Sequence, residues 1–252
     1  MTAPSKPKYF AIVSDIHGNI DALEAVLADI EKWPCSDILC LGDVVGYGPA
    51  PALCVEKVIE VCAVTLMGNH EAMLFLVDKL PSHAFRETIS KPLRLALKEL
   101  PANRLRWLRQ LPMAANIDPF TLSHGSLHEP SEFHYLHDED MARDHFSVQP
   151  TQISFQGHTH VPVIWEKKKN TIACYDASEG LMQVEGANLH AINVGSVGQP
   201  RDEDPRACYV LYDVKKRMLI HRRVKYDIAR AQARFKKAGM PSDNLVRIGL
   251  GY

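Results

Sequence analysis

Three times in the first 70 residues, an apolar run rich in β-branched or aromatic side chains stops at a short polar turn. Residues 9–14 end at Ser14-Asp15, residues 37–41 at Gly42-Asp43, and residues 62–67 at Gly68-Asn69-His70. Between these runs, residues 21–31 carry Leu23, Val26, Leu27 and Ile30 at helical spacing, and residues 51–60 read as a second helix. Three strand–helix units in succession predict a parallel sheet covered by helices, with ligand chemistry at the carboxyl ends of its strands.

The rest of the chain has a different texture. Residues 81–112 are helical and basic, with Arg86, Lys91, Arg94, Lys98, Arg104, Arg106 and Arg109 against Glu87 and Glu99. A helical excursion with a solvated basic face is expected there. Short strand-like runs follow at 114–117, 120–123, 153–156, 161–165, 171–175, 190–194 and 208–213, with no regular helices between them. The basic tail at 214–252 holds a strand and then a helix capped by Asp227, running through Lys237 and stopped by Gly239. No repeat or low-complexity linker divides the chain. The expected fold class is α/β: two packed mixed β-sheets flanked by helices, in a single domain over residues 1–252.

Composition narrows the function. With 252 residues and 46% hydrophobic side chains, the chain can bury a large core without disulfides or a structural metal. Its 29 Lys+Arg balance 30 Asp+Glu, which excludes a disordered chain and a broadly basic nucleic-acid coat. The six cysteines show no CxxC spacing and read as buried thiols in a reducing compartment. Residues 1–8 lead into an apolar run too short for a signal peptide, and no stretch approaches ~18 consecutive apolar residues. A soluble cytoplasmic protein without membrane contact or dedicated nucleic-acid binding is expected. No heptad fixes an oligomeric state.

The 12 histidines are the unusual count, and their positions matter. Five short motifs follow predicted strands: Asp15-Ile16-His17, Gly42-Asp43, Gly68-Asn69-His70-Glu71, Ser123-His124-Gly125 and Gly157-His158-Thr159-His160. Each supplies Asp, Asn or His beside small residues, the donors that suit borderline divalent metals. On an extended backbone, Asp15 with His17, and His158 with His160, present two donors to one side. With Asp43, Asn69 and His124 that makes seven candidate ligands, too many for one ion. Two divalent metals about 3.5–4 Å apart, with a bridging hydroxide as nucleophile, are the arrangement used to hydrolyse phosphate esters.

In order and content, these motifs resemble the calcineurin-like metallophosphoesterases, whose signature reads D-x-H, G-D, G-N-H-D/E, H and G-H-x-H. The resemblance spans roughly residues 8–213 and is nearest to a branch of small bacterial and archaeal phosphoesterases. It includes Gly42-Asp-Val-Val-Gly-Tyr-Gly-Pro49, Leu105-Arg-Trp-Leu-Arg-Gln-Leu-Pro112 and Asn193-Val-Gly-Ser-Val-Gly-Gln-Pro-Arg201. The resemblance implies that one metal takes Asp15, His17, His160 and an oxygen of Asp43. The other takes the second oxygen of Asp43 with Asn69, His124 and His158. It also implies that His70 is a catalytic imidazole that binds no metal. The metals are two divalent ions drawn from Mn, Fe, Zn and Ni.

Further candidates lie around this set. Arg201 reads either as a bidentate phosphate clamp, helped by Ser196 and Gln199, or as a turn residue paired with Asp202 or Asp204. Tyr47 reads as a pocket wall that stacks on a base or aryl group, or as turn packing. Glu71 either orients a ligand imidazole or is simply an acidic residue in a first helical turn. His128, His134, His137 and His145 fall in an acidic stretch that reads as a solvated loop, with a lid or a third metal patch as the alternatives. The expected substrates are phosphomonoesters or phosphodiesters of small molecules or nucleotides. Dinucleoside-polyphosphate hydrolysis and phosphoprotein dephosphorylation are the alternatives, although Gly46-Tyr47-Gly48 stands where phosphatases that act on proteins carry Asp-Arg-Gly. A metal-binding interaction scaffold is the non-enzyme alternative, disfavoured by the complete ligand set and His70.

Overall fold

The computed structural model describes residues 9–184 and 186–252. The expectation about a signal peptide concerns residues 1–8, outside the described residues. The chain alternates at first as β1 (Tyr9–Val13), α1 (Ile20–Ile30), β2 (Cys35–Cys40), α2 (Pro51–Val61), β3 (Cys62–Thr65) and α3 (Asn69–Leu74). The helical excursion follows as α4 (Glu87–Glu99) and α5 (Ala102–Arg109). Then come β4 (Ala114–Ile117), β5 (Phe120–Ser123), α6 (Glu139–Val148), β6 (Ile153–Gln156), β7 (Val163–Lys168), β8 (Thr171–Asp176), β9 (Gly180–Gln183), β10 (Leu189–Asn193), β11 (Ala207–Asp213) and β12 (Met218–Val224). Helices α7 (Ile228–Lys237) and α8 (Ser242–Leu250) close the described chain.

The strands form two six-stranded mixed sheets, ordered β3-β2-β1-β11-β12-β9 and β4-β5-β6-β10-β7-β8. β1, β2 and β3 are parallel in the first, and β5, β6 and β10 in the second. Strand alternation sorts the core into layers. Ile12 of β1, with Val210 and Tyr212 of β11, faces Phe120, Phe155 and Ile192 between the sheets. Their neighbours Ala11, Val13, Tyr209 and Leu211 face the other way, onto Leu23, Val26, Val55, Val58, Leu93 and Leu108 of the helices. On the outer face of the second sheet, Ala142 and Phe146 of α6 cover Trp165 and Ala191.

Several expectations need correction. The strand-rich half contains α6, whose apolar period is disguised because His145 occupies a core position beside Ala142 and Phe146. His145 is therefore buried rather than in a solvated loop. It accepts the Leu127 N–H on Nδ1 and donates from Nε2 to Ser154 Oγ at 2.8 Å. Cys174 is exposed, unlike buried Cys40, Cys54 and Cys208. The basic tail is also less solvated than expected. β12 lies inside the first sheet, Arg222 pairs with Asp29, and Arg230 and Arg234 both reach buried Asp21. Among the described residues, no helix is long and apolar enough to cross a membrane.

Candidate metal centre

The parallel strands of both sheets deliver their carboxyl ends to one place. Asp15, Asp43 and Asn69 follow β1, β2 and β3, while His124, His158 and the 195–201 loop follow β5, β6 and β10. Backbone bonds stitch the two sets together: Val197 N–H donates to the Ser14 carbonyl, Gly198 N–H to that of Asp15, and Gly157 N–H to that of His124. All seven candidate ligands are thereby brought into proximity.

The expected extended presentation of the ligand pairs is incorrect. Asp15, His17, Asp43, His158 and His160 all have positive φ, between 49° and 67°. Tight left-handed turns, uncommon for residues with a Cβ, aim these side chains inward. That is a functional strain pattern, and strand periodicity does not encode it.

Protonation logic shows what the side chains are arranged to hold. His17, His124 and His160 each point Nδ1 at a backbone carbonyl, of Val45 (3.2 Å), Leu41 (3.0 Å) and Gln199 (2.5 Å) respectively. A carbonyl only accepts, so each Nδ1 carries the hydrogen; in His17 and His160, which burial keeps neutral, Nε2 then turns a lone pair outward. The Nε2 atoms of His17 and His160 nevertheless face each other at 3.1 Å, with Asp15 Oδ1 3.2 Å from the latter. His124 Nε2 faces Asn69 Oδ1 at 3.0 Å and Asp43 Oδ2 at 3.3 Å, the carboxylate that holds its charged form. Acceptors converging on acceptors are what a divalent cation requires, so the donor set fits the expected metals. The ligand atoms of Asp15, His17 and His160 lie within 4.8 Å of one another, as do those of Asp43, His124 and His158.

Asp43 joins the two groups through a single oxygen. Its Oδ1 accepts the His70 N–H at 2.8 Å, leaving Oδ2 to face both His124 (3.3 Å) and His17 (3.7 Å). Burial opposes the Asp43 charge, yet His124 and His70 hold its carboxyl well below the usual range. Burial, reinforced by His124, pushes His158 down to about 3. Burial also lowers His124, but Asp43 and Asp15 lift it to about 9.

Glu71 is the acidic residue in the first turn of α3, as one reading had it, and it braces the turn of Asp43 rather than an imidazole. Fully buried, its carboxylate accepts N–H groups from Asp43 (2.8 Å), Val45 (3.1 Å) and Gly68 (2.9 Å), fastening the Asp43 turn to the start of α3. His70 packs between His17 and Tyr47, at centroid distances of 4.7 and 4.6 Å, and its Nδ1 is buried without a hydrogen bond. Gly46, at φ 96°, leaves room for that ring, which an added Cβ would strike.

Arg201 is not paired with Asp202 or Asp204, which are held by Arg223 and Arg206. Its Nη2 donates instead to Tyr47 Oη (3.3 Å) and Gln199 Oε1 (3.2 Å). Arg201 Nε and Gln199 Nε2 remain buried without acceptors. The Ser196 hydroxyl is committed to the backbone, donating to the Asp15 carbonyl and accepting from Gln199 N–H. Two aromatic residues missed in the sequence, Phe133 and Tyr135, pack against His124 and His158. His128, Glu129 and His134 cluster on the same loop, outside the convergent set. A cavity of about 700 Å³ beside Leu27, Trp33 and Cys62 contains none of the motif residues.

Comparison with known proteins agrees with this geometry. Residues 9–217 match the calcineurin-like phosphoesterase superfamily domain. The chain is 32% identical over 245 residues to an uncharacterized protein of Methanocaldococcus jannaschii, covering 96% of this chain and 97% of that one. It superposes on a metallophosphoesterase from Sphaerobacter thermophilus with a TM-score of 0.87 and 33% identity, covering 98% and 100% of the two chains. A hypothetical protein from Pyrococcus horikoshii shares the fold at a TM-score of 0.78 and 18% identity, covering 97% and 99%. The chain belongs to the calcineurin-like phosphoesterase superfamily. It is a metallophosphoesterase, a hydrolase acting on phosphoric ester bonds.

Proposed function

We propose that the protein uses two divalent cations to hydrolyse phosphomonoesters or phosphodiesters of small molecules or nucleotides. Asp15, His17, His160 and Asp43 hold one cation, and Asp43, Asn69, His124 and His158 hold the other. The observation that carries this reading is the 3.1 Å approach of the His17 and His160 Nε2 atoms while both Nδ1 atoms are bound to carbonyls. Cations bound there supply Lewis acidity toward a phosphoryl oxygen and lower the pKa of water; Mn, Fe, Zn and Ni all suit these donors.

The chain's own groups do the remaining work. Asp43, anchored by the His70 N–H, fixes the spacing between the two ligand sets. The imidazole of His70, which lies within 4.8 Å of the His17 and Asp43 donor atoms and is assigned to neither cation, is suited to give a proton to the departing alkoxide. Arg201 Nε and Gln199 Nε2, buried donors lacking acceptors, are suited to the phosphoryl oxygens. Tyr47 holds the Arg201 guanidinium in place, and Ser196 holds the loop that carries Gln199.

Metal-stripped protein reloaded with Mn²⁺, Fe²⁺, Ni²⁺ or Zn²⁺ is assayed on aryl phosphate, bis-aryl phosphate and dinucleoside polyphosphates. Hydrolysis that needs the metal and falls at least a hundredfold in His70→Ala is expected. Absence of turnover with every metal refutes the reading, as does a wild-type metal content well below two per chain.

A further inference from the structure

The four imidazoles assigned to the metals are not held alike. His17, His124 and His160 are each locked by a hydrogen bond from Nδ1 to a backbone carbonyl, which fixes both ring orientation and tautomer. Among the described residues, no hydrogen bond reaches the His158 ring. Its backbone N–H is anchored on Asp15 Oδ2 at 2.9 Å, a bond that does not itself orient the ring. What lies against the ring is Tyr135, stacked at 4.1 Å between centroids with the planes only 16° apart. The nearest other ring, His124, is tilted by 56° at 5.0 Å and is itself a ligand.

The geometry points to Tyr135 as the positioning residue for His158: an aromatic clamp that replaces the missing carbonyl and sets the affinity of one metal position. This rests on the two-cation reading above. Stacking suits the task because an imidazole that ligates a dication is electron-poor, and an electron-poor ring binds the face of a phenol more strongly than a neutral one does. The contact therefore strengthens when metal binds, so Tyr135 favours the loaded site. Placement supports the role as well. Tyr135 is 44% exposed, so its ring is not needed to fill the core. Its loop is independently fixed to the site, through Ser126 N–H on the His134 carbonyl and through Phe133 packed edge-on against His124.

Metal-stripped wild type, Tyr135→Ala, Tyr135→Leu and Tyr135→Phe are titrated with Mn²⁺ by calorimetry, and bound metal is counted by elemental analysis. Wild type is expected to bind two ions. Tyr135→Ala and Tyr135→Leu are expected to keep one ion at unchanged affinity and to bind the other about tenfold more weakly, the loss typical of removing an outer support from a ligand. Tyr135→Phe is expected to match wild type, since the clamp uses the ring and not the hydroxyl. The leucine variant keeps an apolar anchor for the loop, so a fold defect confined to alanine does not obscure the result. Equal weakening of both ions, weakening of neither, or a phenylalanine variant as weak as alanine overturns the clamp while the two-cation reading stands. A wild type that binds a single ion overturns both.

Discussion

Asn244, on the last helix, donates from Nδ2 to the carbonyl oxygen of Tyr47 at 2.9 Å, across 197 residues of sequence. The same amide nitrogen donates to the Thr88 carbonyl at 3.0 Å, so α8 ties the Tyr47 turn to α4. Tyr47 sits at φ 44° with its ring against His17 and His70, and a residue held in that region needs surrounding structure to keep it there. Asn244→Ala removes both bonds and leaves two half-buried carbonyls without this partner. A stability loss of about 1–3 kcal/mol is expected, with kcat reduced and metal content unchanged. Chemical denaturation, steady-state kinetics and elemental analysis on one preparation check it; a fully active variant contradicts the positioning role.

Gly46 makes a sharper test of how His70 is placed. An alanine there must adopt φ 96° and drive its Cβ into the His70 ring. Gly46→Ala should therefore lose activity nearly as far as His70→Ala and cost about 1–3 kcal/mol in stability. If the clash is the cause, the double variant Gly46→Ala/His70→Ala is more stable than the sum of the single effects implies, a coupling of at least about 0.5 kcal/mol. Simple additivity would place the damage in the backbone alone.

The strand ends were legible because an apolar run, a small residue and a metal-type donor recur together, and Asp15, Asp43, Asn69, His124 and His158 all follow that rule. Apolar spacing likewise announced α1, the Asp227 cap and Gly239 stop announced α7, and the strand-rich second half pointed to two packed sheets. What could not be read are features that depend on partners remote in sequence. The Glu71 carboxylate is spoken for by N–H groups as far as 28 residues away, so no local pattern marks it as a fastener of the site. Tyr135 lies in an irregular stretch where an aromatic residue signals little, and His145 is polar by type yet buried by virtue of two hydrogen bonds. The left-handed turns at the ligands were hidden for another reason: they oppose local preference, as functional sites commonly do.

Glu71 supports the site through backbone amides, which sets an order among its variants. Alanine leaves the N–H groups of Asp43, Val45 and Gly68 without acceptors in the interior. At about 1–3 kcal/mol for each unsatisfied group, discounted for partial relaxation, a loss on the order of 3–5 kcal/mol is expected. Glutamine keeps one oxygen and presents an NH₂ where the other stood, so its loss is intermediate and accompanied by weaker metal binding through a displaced Asp43. Urea denaturation of metal-free protein checks the order; a glutamine variant worse than alanine would argue against the fastener role.

Acid sensitivity should come partly from two histidines outside the metal set. His145 and His221 are fully buried, and burial pushes each down to about 4 from an ordinary 6.5. Protonation of His145 on Nδ1 also destroys the acceptor that the Leu127 N–H uses. His221 donates from Nε2 to the Asn193 carbonyl at 2.9 Å and stays neutral for the same reason of burial. The unfolded chain thus binds protons that the folded chain refuses between pH 6.5 and 4. The stability these groups contribute is complete above pH 6.5 and is lost as pH falls toward 4, at most about 3 kcal/mol for each. His145→Gln keeps an N–H donor for Ser154 but cannot titrate. It should be less stable than wild type at pH 8, for want of the Leu127 acceptor, and lose less stability between pH 7 and pH 4. Denaturation curves for both proteins across that range measure the difference, and identical slopes would show that His145 titrates alike in the folded and unfolded chains.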